Sequence, residues 1–312
     1  MSTPPFDPGS APPVQGLQAA IIIPHYNDIV RLRTCLDALV PQITALTPEG
    51  GTCPVELVVI DNGSTQDLGA IQTDFPQARF LTEPQKGAAP ARNTGVREST
   101  APCLFFIDAD CVPDADWLKT ALELSGWDGI IGGRVDVFDE TPPPRTGSEA
   151  FETVFAFHQE EYVSRKNFSV TANLLTTRKV FEETGPFDGT VVEDSDWCQR
   201  AVALGWPIAY HPELGVGHPS RSDWPALRRK WKRTTAENYF AGGTDPVSRV
   251  RWALRSGAVL ASIPVHIPRV LRHPALASGE RGPCIGVLIR LRILRAGWML
   301  RQAVFGERPL NT

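Results

Sequence analysis

Two aspartates, Asp108 and Asp110, stand directly after a run of apolar residues in the segment LFFIDADCVP at residues 104–113. Charged side chains are rarely found at the end of a buried strand without a partner. A single acid at such a position is often a helix cap or a turn residue. Taken alone, the pair is compatible with a metal site, a helix cap, or the start of a phosphatase whose first aspartate is the nucleophile.

Two further polar clusters follow apolar runs earlier in the chain. His25-Tyr26-Asn27 comes after AAIIIP at residues 19–24, and Asp61-Asn62-Gly63-Ser64 comes after VELVVI at residues 55–60. Continuous apolar runs of this length are typical of buried strands. The carboxyl ends of parallel strands form the ligand crevice of an open α/β sheet, so we expect all three clusters to lie there.

Strand and helix patterns alternate over the first half of the chain. Helices are predicted at about residues 28–40 and 89–99, between apolar runs that include 55–60, 79–82 and 103–107. This alternation predicts an α/β fold with a mostly parallel central sheet flanked by helices. In the second half, one long helix is predicted over residues 149–165.

The charge of the chain is unevenly distributed, although the net charge is only −4. The last 92 residues carry 17 Lys and Arg against 5 Asp and Glu, whereas the first 220 residues carry 14 against 30. A basic end on an acidic body indicates an anionic partner for that end. The six cysteines form no C-x-x-C pair, so neither a zinc site nor a disulfide framework is expected.

The two ends of the chain differ in composition. The N-terminal stretch MSTPPFDPGSAPPVQG is rich in Pro and lacks the pattern of a signal peptide, so residues 1–17 are predicted to be a disordered leader. In the last third, Arg alternates with Leu and Trp, which is typical of amphipathic helices on an anionic membrane surface. A packed C-terminal helix or a dimer surface are the alternatives. No nucleic-acid motif is present, and no uncharged apolar stretch reaches the roughly 20 residues of a membrane span.

Six segments taken together resemble the family-two glycosyltransferases: IIIPHYND, VVIDNGS, KGAAPARNTGV, FFIDADC, GPFDGTVVEDSDWCQRAVALGW and VGHPSR. The resemblance extends from about Ala19 to Phe240 and implies the GT-A fold. It implies a catalytic domain at residues 18–240, with a nucleotide-binding half at 18–140 and an acceptor half at 141–240. Residues 241–312 would then form a basic amphipathic helical extension.

The resemblance also implies a divalent cation, Mn²⁺ or Mg²⁺, that neutralises the charge building on a nucleoside-diphosphate leaving group. Asp110 would be the more direct metal ligand, and Asp108 would contact the ribose or the metal. His218 would complete the metal shell or touch the diphosphate, since a neutral imidazole is an acceptable ligand for Mn²⁺.

The nucleotide-sugar donor would lie against residues near the three strand ends. By resemblance, Asp61 corresponds to the acid that receives the nucleobase or the ribose, and the turn after residue 24 places backbone against the base. The predicted donor-binding residues are Pro24, Tyr26, Asn27, Asp61, Arg92, Asn93, Asp108 and Asn173.

The second half of the chain must supply a general base for an inverting transfer. The attacking hydroxyl has to lose its proton as it reaches the anomeric carbon, and a carboxylate within hydrogen-bond reach can accept it. In the run Glu193-Asp194-Ser195-Asp196, the resemblance selects Asp194. An acid at a helix N-terminus also stabilises the helix dipole, and one residue can do both.

These observations predict an inverting, metal-dependent glycosyltransferase that moves one sugar from a nucleoside-diphosphate sugar to an acceptor hydroxyl, carbohydrate or lipid-linked. We expect a role in cell-surface polysaccharide or glycolipid assembly, in the cytoplasm and peripheral on the inner face of the cell membrane, with no nucleic-acid partner. Two alternatives remain: a haloacid-dehalogenase-like phosphatase with Asp108 as the nucleophile, and a non-catalytic GT-A scaffold subunit.

Overall fold

The computed structural model describes residues 17–47, 53–190 and 192–306. Within these residues, eight strands form one sheet in the order β3-β2-β1-β4-β7-β6-β8-β5. The strands are β1 Ala19–His25, β2 Val55–Asp61, β3 Ala78–Thr82, β4 Cys103–Ile107, β5 Val112–Pro113, β6 Ile130–Phe138, β7 Asn173–Thr177 and β8 Ile208–Pro219.

The sheet has a parallel half and an antiparallel part. Strand β1 pairs in parallel with both β2 and β4, and β2 pairs in parallel with β3. Strand β7 pairs antiparallel with β4 and β6, and β5 pairs antiparallel with β8. Parallel strands need crossover connections, and helices supply them here, which confirms the predicted α/β class.

Helices connect and cover the strands. They are α1 Ile29–Leu46, α2 Gly69–Asp74, α3 Ala88–Glu98, α4 Trp117–Leu124, α5 Gly147–Phe155, α6 Gln159–Lys166, α7 Arg178–Thr184, α8 Glu193–Ala203, α9 Trp224–Ala241, α10 Pro246–Arg272 and α11 Ser278–Phe305. The predicted helix at 149–165 is wrong as one element. It is two helices, α5 and α6, because Phe157 adopts a left-handed backbone conformation with φ +49° that an α-helix cannot contain.

Helix α3 lies close against the parallel strands because of one glycine. A Cβ built on Gly95 would lie 2.5 Å from Ile22 Cγ2 and 2.9 Å from Ile60 Cδ1. Only a residue without a side chain permits this approach. Arg92, one turn earlier on α3, is thereby held at the sheet with only 3% of its surface exposed.

The chain divides into two compact units. The first contains residues 1–136, 158–189 and 193–218, and the second contains residues 137–157, 190–192 and 219–312, insofar as these are described. The first unit holds a core of strand and helix residues that includes Ile22, Ile60, Phe106 and Trp197.

The second unit is helical and has its own apolar clusters. Leu227 of α9 packs in one cluster with Phe151 of α5 and Leu288 of α11. Tyr239 of α9 packs in another with Trp252 of α10 and Met299 of α11. The apolar face of α9 packs on α10 and α11, and the predicted domain boundary at residues 240 and 241 stays a prediction.

Two predictions concern the ends of the chain. The predicted leader at residues 1–17 lies, except for Leu17, outside the described residues. Among the helices that the structure describes, none combines the length and the apolar content that crossing a bilayer requires.

Candidate active site

The three polar clusters lie at one edge of the sheet. In the parallel registers His25 stands opposite Asp61, and Ile22 of β1 stands opposite Phe106 of β4. The carboxyl ends of β1, β2 and β4 are therefore neighbours, and Asp108 follows β4 directly. The sequence expectation of a shared edge agrees with this topology.

A buried histidine orients Asp61. His25 is 1% exposed, and its Nε2 accepts a hydrogen bond from the backbone N–H of Asp28 at 3.2 Å. Because Nε2 is the acceptor, Nδ1 carries the proton and donates to Asp61 Oδ1 at 3.3 Å. The other carboxylate oxygen accepts from the backbone N–H of Ser64 at 3.2 Å. Asp61 is thus held by two donors at the end of β2.

The turn after β1 is tied to the turn after β2. Asn27 has φ +50°, a left-handed conformation that Asn tolerates better than most residues. Its Oδ1 accepts from the backbone N–H groups of Thr65 at 2.7 Å and Gln66 at 3.3 Å. This side chain shapes the two turns, while the neighbouring Tyr26 is 55% exposed and Pro24 is half-buried.

Arg92 joins two acids that are far apart in sequence. Its Nη2 donates to Asp108 Oδ1 at 2.6 Å, and its Nη1 donates to Glu193 Oε1 at the start of α8. Burial lowers the pKa of Arg92, but the carboxylates of Asp108 and Glu193 offset this and raise it above the ordinary value. Its Nε is buried without a hydrogen-bond partner among the described residues. The guanidinium is therefore a permanent positive charge between the ends of β4 and α8.

Asp194, beside Glu193, is the carboxyl group with the most altered titration in this cluster. Its Oδ1 accepts a hydrogen bond from Thr171 Oγ1 at 3.0 Å. Burial raises the pKa of Asp194 to about 7, against the lowering effect of Arg92 and with the help of the negative charges of Glu193 and Asp108. A carboxylate that titrates near neutral pH is suited to accept a proton during a reaction.

Asp110 and His218 lie side by side. Strand β5 pairs with β8 in the register Val112 to Gly217, which places the residues before β5 next to His218. The Nε2 of His218 is 3.5 Å from Asp110 Oδ2, and His218 is 6% exposed. The structure thus brings together two of the three residues predicted to bind metal, with Asp108 two positions away in the chain.

The donor set fits a cation that a substrate also ligates. Among the residues that the structure describes, no three His, Cys, Asp or Glu side chains are grouped closely enough to hold a metal alone. Mg²⁺ and similar ions are commonly held by one or two carboxylates together with substrate phosphates. Asp108 and Asp110, each with 31% of its side chain exposed, and His218 offer oxygen and nitrogen atoms of this kind.

Two predicted donor-binding residues have structural partners. Asn173 is fully buried; its amide nitrogen donates to Arg134 O and Leu214 O, and its oxygen accepts from Trp117 Nε1 at 3.0 Å. Both donors and one acceptor position of this amide are thus occupied, so Asn173 joins β6, β7 and β8 in the core, and its contact with the donor sugar stays a prediction.

Asn93 holds the segment before α8. Its side chain donates to Phe187 O and accepts from Phe187 N, both at 2.9 Å. This reciprocal pair of hydrogen bonds attaches the backbone at Phe187 to α3. Asn93 therefore orients the neighbourhood of Arg92, and its contact with the donor stays a prediction.

Sequence reasoning missed three residues of the site. Glu193 was passed over in favour of Asp194, although it is the acid that pairs with Arg92. Thr171 carried no sequence signal. Asn62 was noted only as part of a cluster, yet it donates to Glu83 O and Gln85 O and accepts from Gly87 N. It thereby fixes the loop that leads into α3.

Comparison with known proteins agrees with the site. The model of the family "Glycosyl transferase family 2" matches residues 20–185, and that of "Glycosyl transferase family group 2" matches residues 104–299. The chain therefore belongs to the family-2 glycosyltransferases, is an enzyme that transfers glycosyl groups, and has the GT-A fold.

Curated relatives bear glycosyltransferase names. Glycosyltransferase AglE of Haloferax volcanii is 28% identical over 222 residues, which is 68% of this chain and 70% of the relative. The pre-mycofactocin glycosyltransferase of Mycobacterium tuberculosis is 27% identical over 286 residues. That match takes in 88% of this chain but only 57% of the mycobacterial protein, so this chain spans little more than half of it.

A solved structure shares the fold. The mannosyltransferase PcManGT of Pyrobaculum calidifontis, in complex with GDP-Man and Mn²⁺, aligns with a TM-score of 0.54 at 16% identity, over 95% of this chain and 74% of that one. At this identity the likeness concerns the fold alone. No observation favours the phosphatase or the scaffold alternative.

Proposed function

We propose that this glycosyltransferase moves one sugar from a nucleoside-diphosphate sugar to an acceptor hydroxyl with inversion, in a metal-dependent reaction. The observation that carries the proposal is the bridge made by Arg92. It joins Asp108, beside the prospective metal ligands, to Glu193, the neighbour of the prospective base. Residues for the leaving group and for the attacking hydroxyl are therefore adjacent.

The residues at the Asp108 end of the bridge would bind the cation and the donor. Asp108, Asp110 and His218 would hold a divalent cation, Mn²⁺ or Mg²⁺, together with the donor diphosphate. When bound, such an ion supplies positive charge that stabilises the departing diphosphate. Asp61, fixed by His25, accepts hydrogen bonds from the base or ribose, and the exposed ring of Tyr26 offers a surface for stacking. The complex of PcManGT with GDP-Man and Mn²⁺ supports this kind of donor and ion.

Asp194 is the proposed general base. Its pKa of about 7 lets the carboxylate exist at neutral pH while it remains basic enough to take a proton from a sugar hydroxyl. Thr171 fixes one carboxylate oxygen by its hydrogen bond, and the other oxygen would take the proton of the acceptor hydroxyl. Proton removal by a fixed carboxylate contributes about 10²–10⁴-fold to such reactions.

The test uses donors and one matched pair of variants. A thermal-shift panel of UDP-, GDP- and dTDP-sugars, with and without Mn²⁺, identifies the donor; at 100 times the dissociation constant it stabilises by about 2.7 kcal/mol. Asp194→Asn should keep this shift and lose transfer by at least about 100-fold, whereas Asp110→Asn should lose the part of the shift that depends on metal. Transfer by Asp194→Asn at the wild-type rate would refute the assignment of the base.

We further propose that the second unit associates peripherally with an anionic membrane, where a lipid-linked acceptor of cell-surface glycan or glycolipid assembly would be found. Helix α10 exposes apolar residues on one face: Val247, Val250 and Leu254, spaced by three and four residues, and Val265, eleven residues further on, are 60–73% exposed. Three exposed arginines of the same helix, Arg255, Arg269 and Arg272, suit anionic headgroups.

Vesicle sedimentation tests this association. Wild-type protein should bind vesicles that contain phosphatidylglycerol, and Leu254→Glu should bind them several-fold less. Leu204→Glu changes an exposed leucine of the first unit and is the control. Equal binding by all three proteins would contradict the role of the apolar face of α10.

A further inference from the structure

Six side-chain nitrogens of the second unit are buried without a hydrogen-bond partner among the described residues: His273 Nδ1, Arg281 Nε and a group of four. The four are Trp231 Nε1 of α9, His266 Nδ1 of α10, and Arg292 Nε and Arg295 Nε of α11. A buried donor that is left without an acceptor costs about 1–3 kcal/mol, more when it is charged. Native proteins keep few such groups, so a cluster of them needs an explanation.

The positive charge around these nitrogens is uncompensated. Arg292 and Arg295 make no ion pair with any described residue, and from residue 246 to 306 the chain carries ten Arg and a single acid, Glu280. Glu280 is engaged by Arg145, and Glu152 of α5 is engaged by Arg221 and Lys230. Two further acids of α5 and α9 are also engaged: Glu149 accepts hydrogen bonds from Thr141 Oγ1 and Thr146 N, and Glu237 pairs with Arg233.

Burial and neighbouring positive charges lower the pKa values of these side chains. Burial lowers the pKa of Arg292; burial, helped by Arg292 and Arg255, lowers the pKa of Arg295 to about 10. Burial and then the charges of Arg292 and Arg269 lower the pKa of His266, against the raising effect of the Ser262 backbone carbonyl one turn earlier. Arg292 and Arg295 are three positions apart on α11 and therefore lie on one face of it, and His266 is on α10, which packs against α11.

Aromatic rings hold the cluster in place. The guanidinium carbon of Arg295 lies 4.9 Å from the ring centre of Trp231, and that of Arg269 lies 5.4 Å from the ring centre of Phe155. The ring of Phe155 in turn meets His266 edge to face at 5.5 Å. Stacking orients an arginine but leaves its N–H groups to point at another acceptor.

We propose that Arg292, Arg295 and His266 form a binding site for the phosphate group of a phosphate or diphosphate ester, separate from the site at Asp108 and Asp110. The planar fork of arginine matches both carboxylate and phosphate, but a phosphate has more acceptor oxygens and can accept from several side chains at once. The site needs neither the donor nucleotide nor a divalent cation. Its test is therefore independent of the proposed transfer mechanism.

Two arginine variants and one control test the site. Arg292→Gln and Arg295→Gln each remove one charge from the cluster, and Arg251→Gln removes one exposed charge of α10. Arg251 precedes His266 by fifteen positions, about 22 Å along the helix. The probe is sodium pyrophosphate with EDTA at fixed ionic strength, so that no divalent cation can hold it near Asp110.

Pyrophosphate should raise the Tm of wild type and of Arg251→Gln by about 3–6 °C when it reaches 100 times its dissociation constant. The rise should vanish in Arg292→Gln and in Arg295→Gln. Without pyrophosphate these two variants should melt at or above the wild-type temperature, because each loses a half-buried, unneutralised charge. An equal pyrophosphate response in all four proteins overturns the proposal.

A lipid headgroup and a free phosphate are distinguished by a second titration with dihexanoyl phosphatidic acid below its micellar concentration. A response to both probes, lost in the same two variants, indicates a site for the phosphate itself. A variant-sensitive response to the lipid alone indicates that acyl chains are part of the ligand. No variant-sensitive response to either probe overturns the proposal.

If both variants fail to fold, the phosphate site can be tested on the wild-type protein alone. Phenylglyoxal modifies accessible arginines, and peptide mass spectrometry reads each site. Pyrophosphate should slow modification of Arg292 and Arg295 at least threefold relative to Arg251. Equal rates with and without pyrophosphate overturn the proposal.

Discussion

Replacing Asp194 by Asn should change how the stability of the protein depends on pH. Folding raises the pKa of this carboxyl group from 3.8 to about 7, first because it is buried and despite the attraction of Arg92. Between these two values the folded state binds more protons than the unfolded state. Stability contributed by the neutral carboxyl is therefore complete below about pH 4 and is lost as the pH rises to about 7.

The size of the effect follows from the shift. A change of about three pKa units corresponds to about 4 kcal/mol, or about 1.4 kcal/mol per pH unit across the window. Asp194 loses much of its hydration on folding, but part of its surface still reaches solvent, which screens the charges, so we expect about 2–4 kcal/mol. Asn has the shape of the neutral carboxyl but cannot ionise, so the variant should not show this loss.

Urea unfolding at intervals from pH 4 to pH 8, with EDTA present, measures the difference between wild type and Asp194→Asn. EDTA matters because a cation near Asp108 would itself lower the pKa of Asp194. The unfolding free energy of wild type should fall relative to the variant across this range and then level off.

The control is Asp196→Asn. It removes a carboxylate two residues away that pairs with Arg200 at 2.8 Å on a partly exposed surface. The difference in unfolding free energy between wild type and Asp196→Asn should not fall between pH 4 and pH 7. If the Asp194→Asn difference is flat, or rises with pH, the reasoning that burial keeps Asp194 neutral is refuted, and with it the physical support for this residue as the base.

Three other substitutions have separate readouts. Arg92→Met should lower the unfolding free energy by about 2–4 kcal/mol in urea titrations, because it leaves two carboxylates without their shared counter-charge. His25→Phe should weaken donor binding about tenfold in a calorimetric titration, with little change in turnover at saturating donor, because Asp61 loses the N–H that orients it. Asn173→Ala should cost about 2–4 kcal/mol of stability and leave donor affinity unchanged, because three buried groups lose their hydrogen-bond partner. Normal stability with lost donor binding would instead support the predicted contact of Asn173 with the donor sugar.

The ends of the strands could be predicted because a strand that is buried on both faces appears in the sequence as a continuous apolar run. Residues 55–60 read as an apolar run, and the structure places β2 at Val55–Asp61. The same holds for β4, which coincides with the predicted run at 103–107. The topology of α/β sheets then places the residues that follow these runs at one edge, without knowledge of any tertiary contact.

Other features depend on contacts between distant segments. The pairing of Arg92 with Glu193 joins residues 101 positions apart, and nothing local distinguishes Glu193 from the acids around it. Asn173 reads as a polar residue near the site, but its role is set by acceptors and donors on three other elements. The break at Phe157 is likewise a backbone conformation that apolar periodicity does not encode.

Arg92 makes the two acid clusters interdependent. The negative charge of Asp108 helps to raise the pKa of Asp194, while the positive charge of Arg92 lowers it. Removing Asp108 therefore has two consequences: it takes away a prospective metal contact, and it lets Arg92 favour the ionised form of Asp194. For this reason the effects of Asp108→Asn and Asp194→Asn on stability should not add, since residues in one charge network usually show coupling energies of about 0.5–3 kcal/mol. A substitution at the donor end of this site therefore cannot be interpreted without its effect on the base.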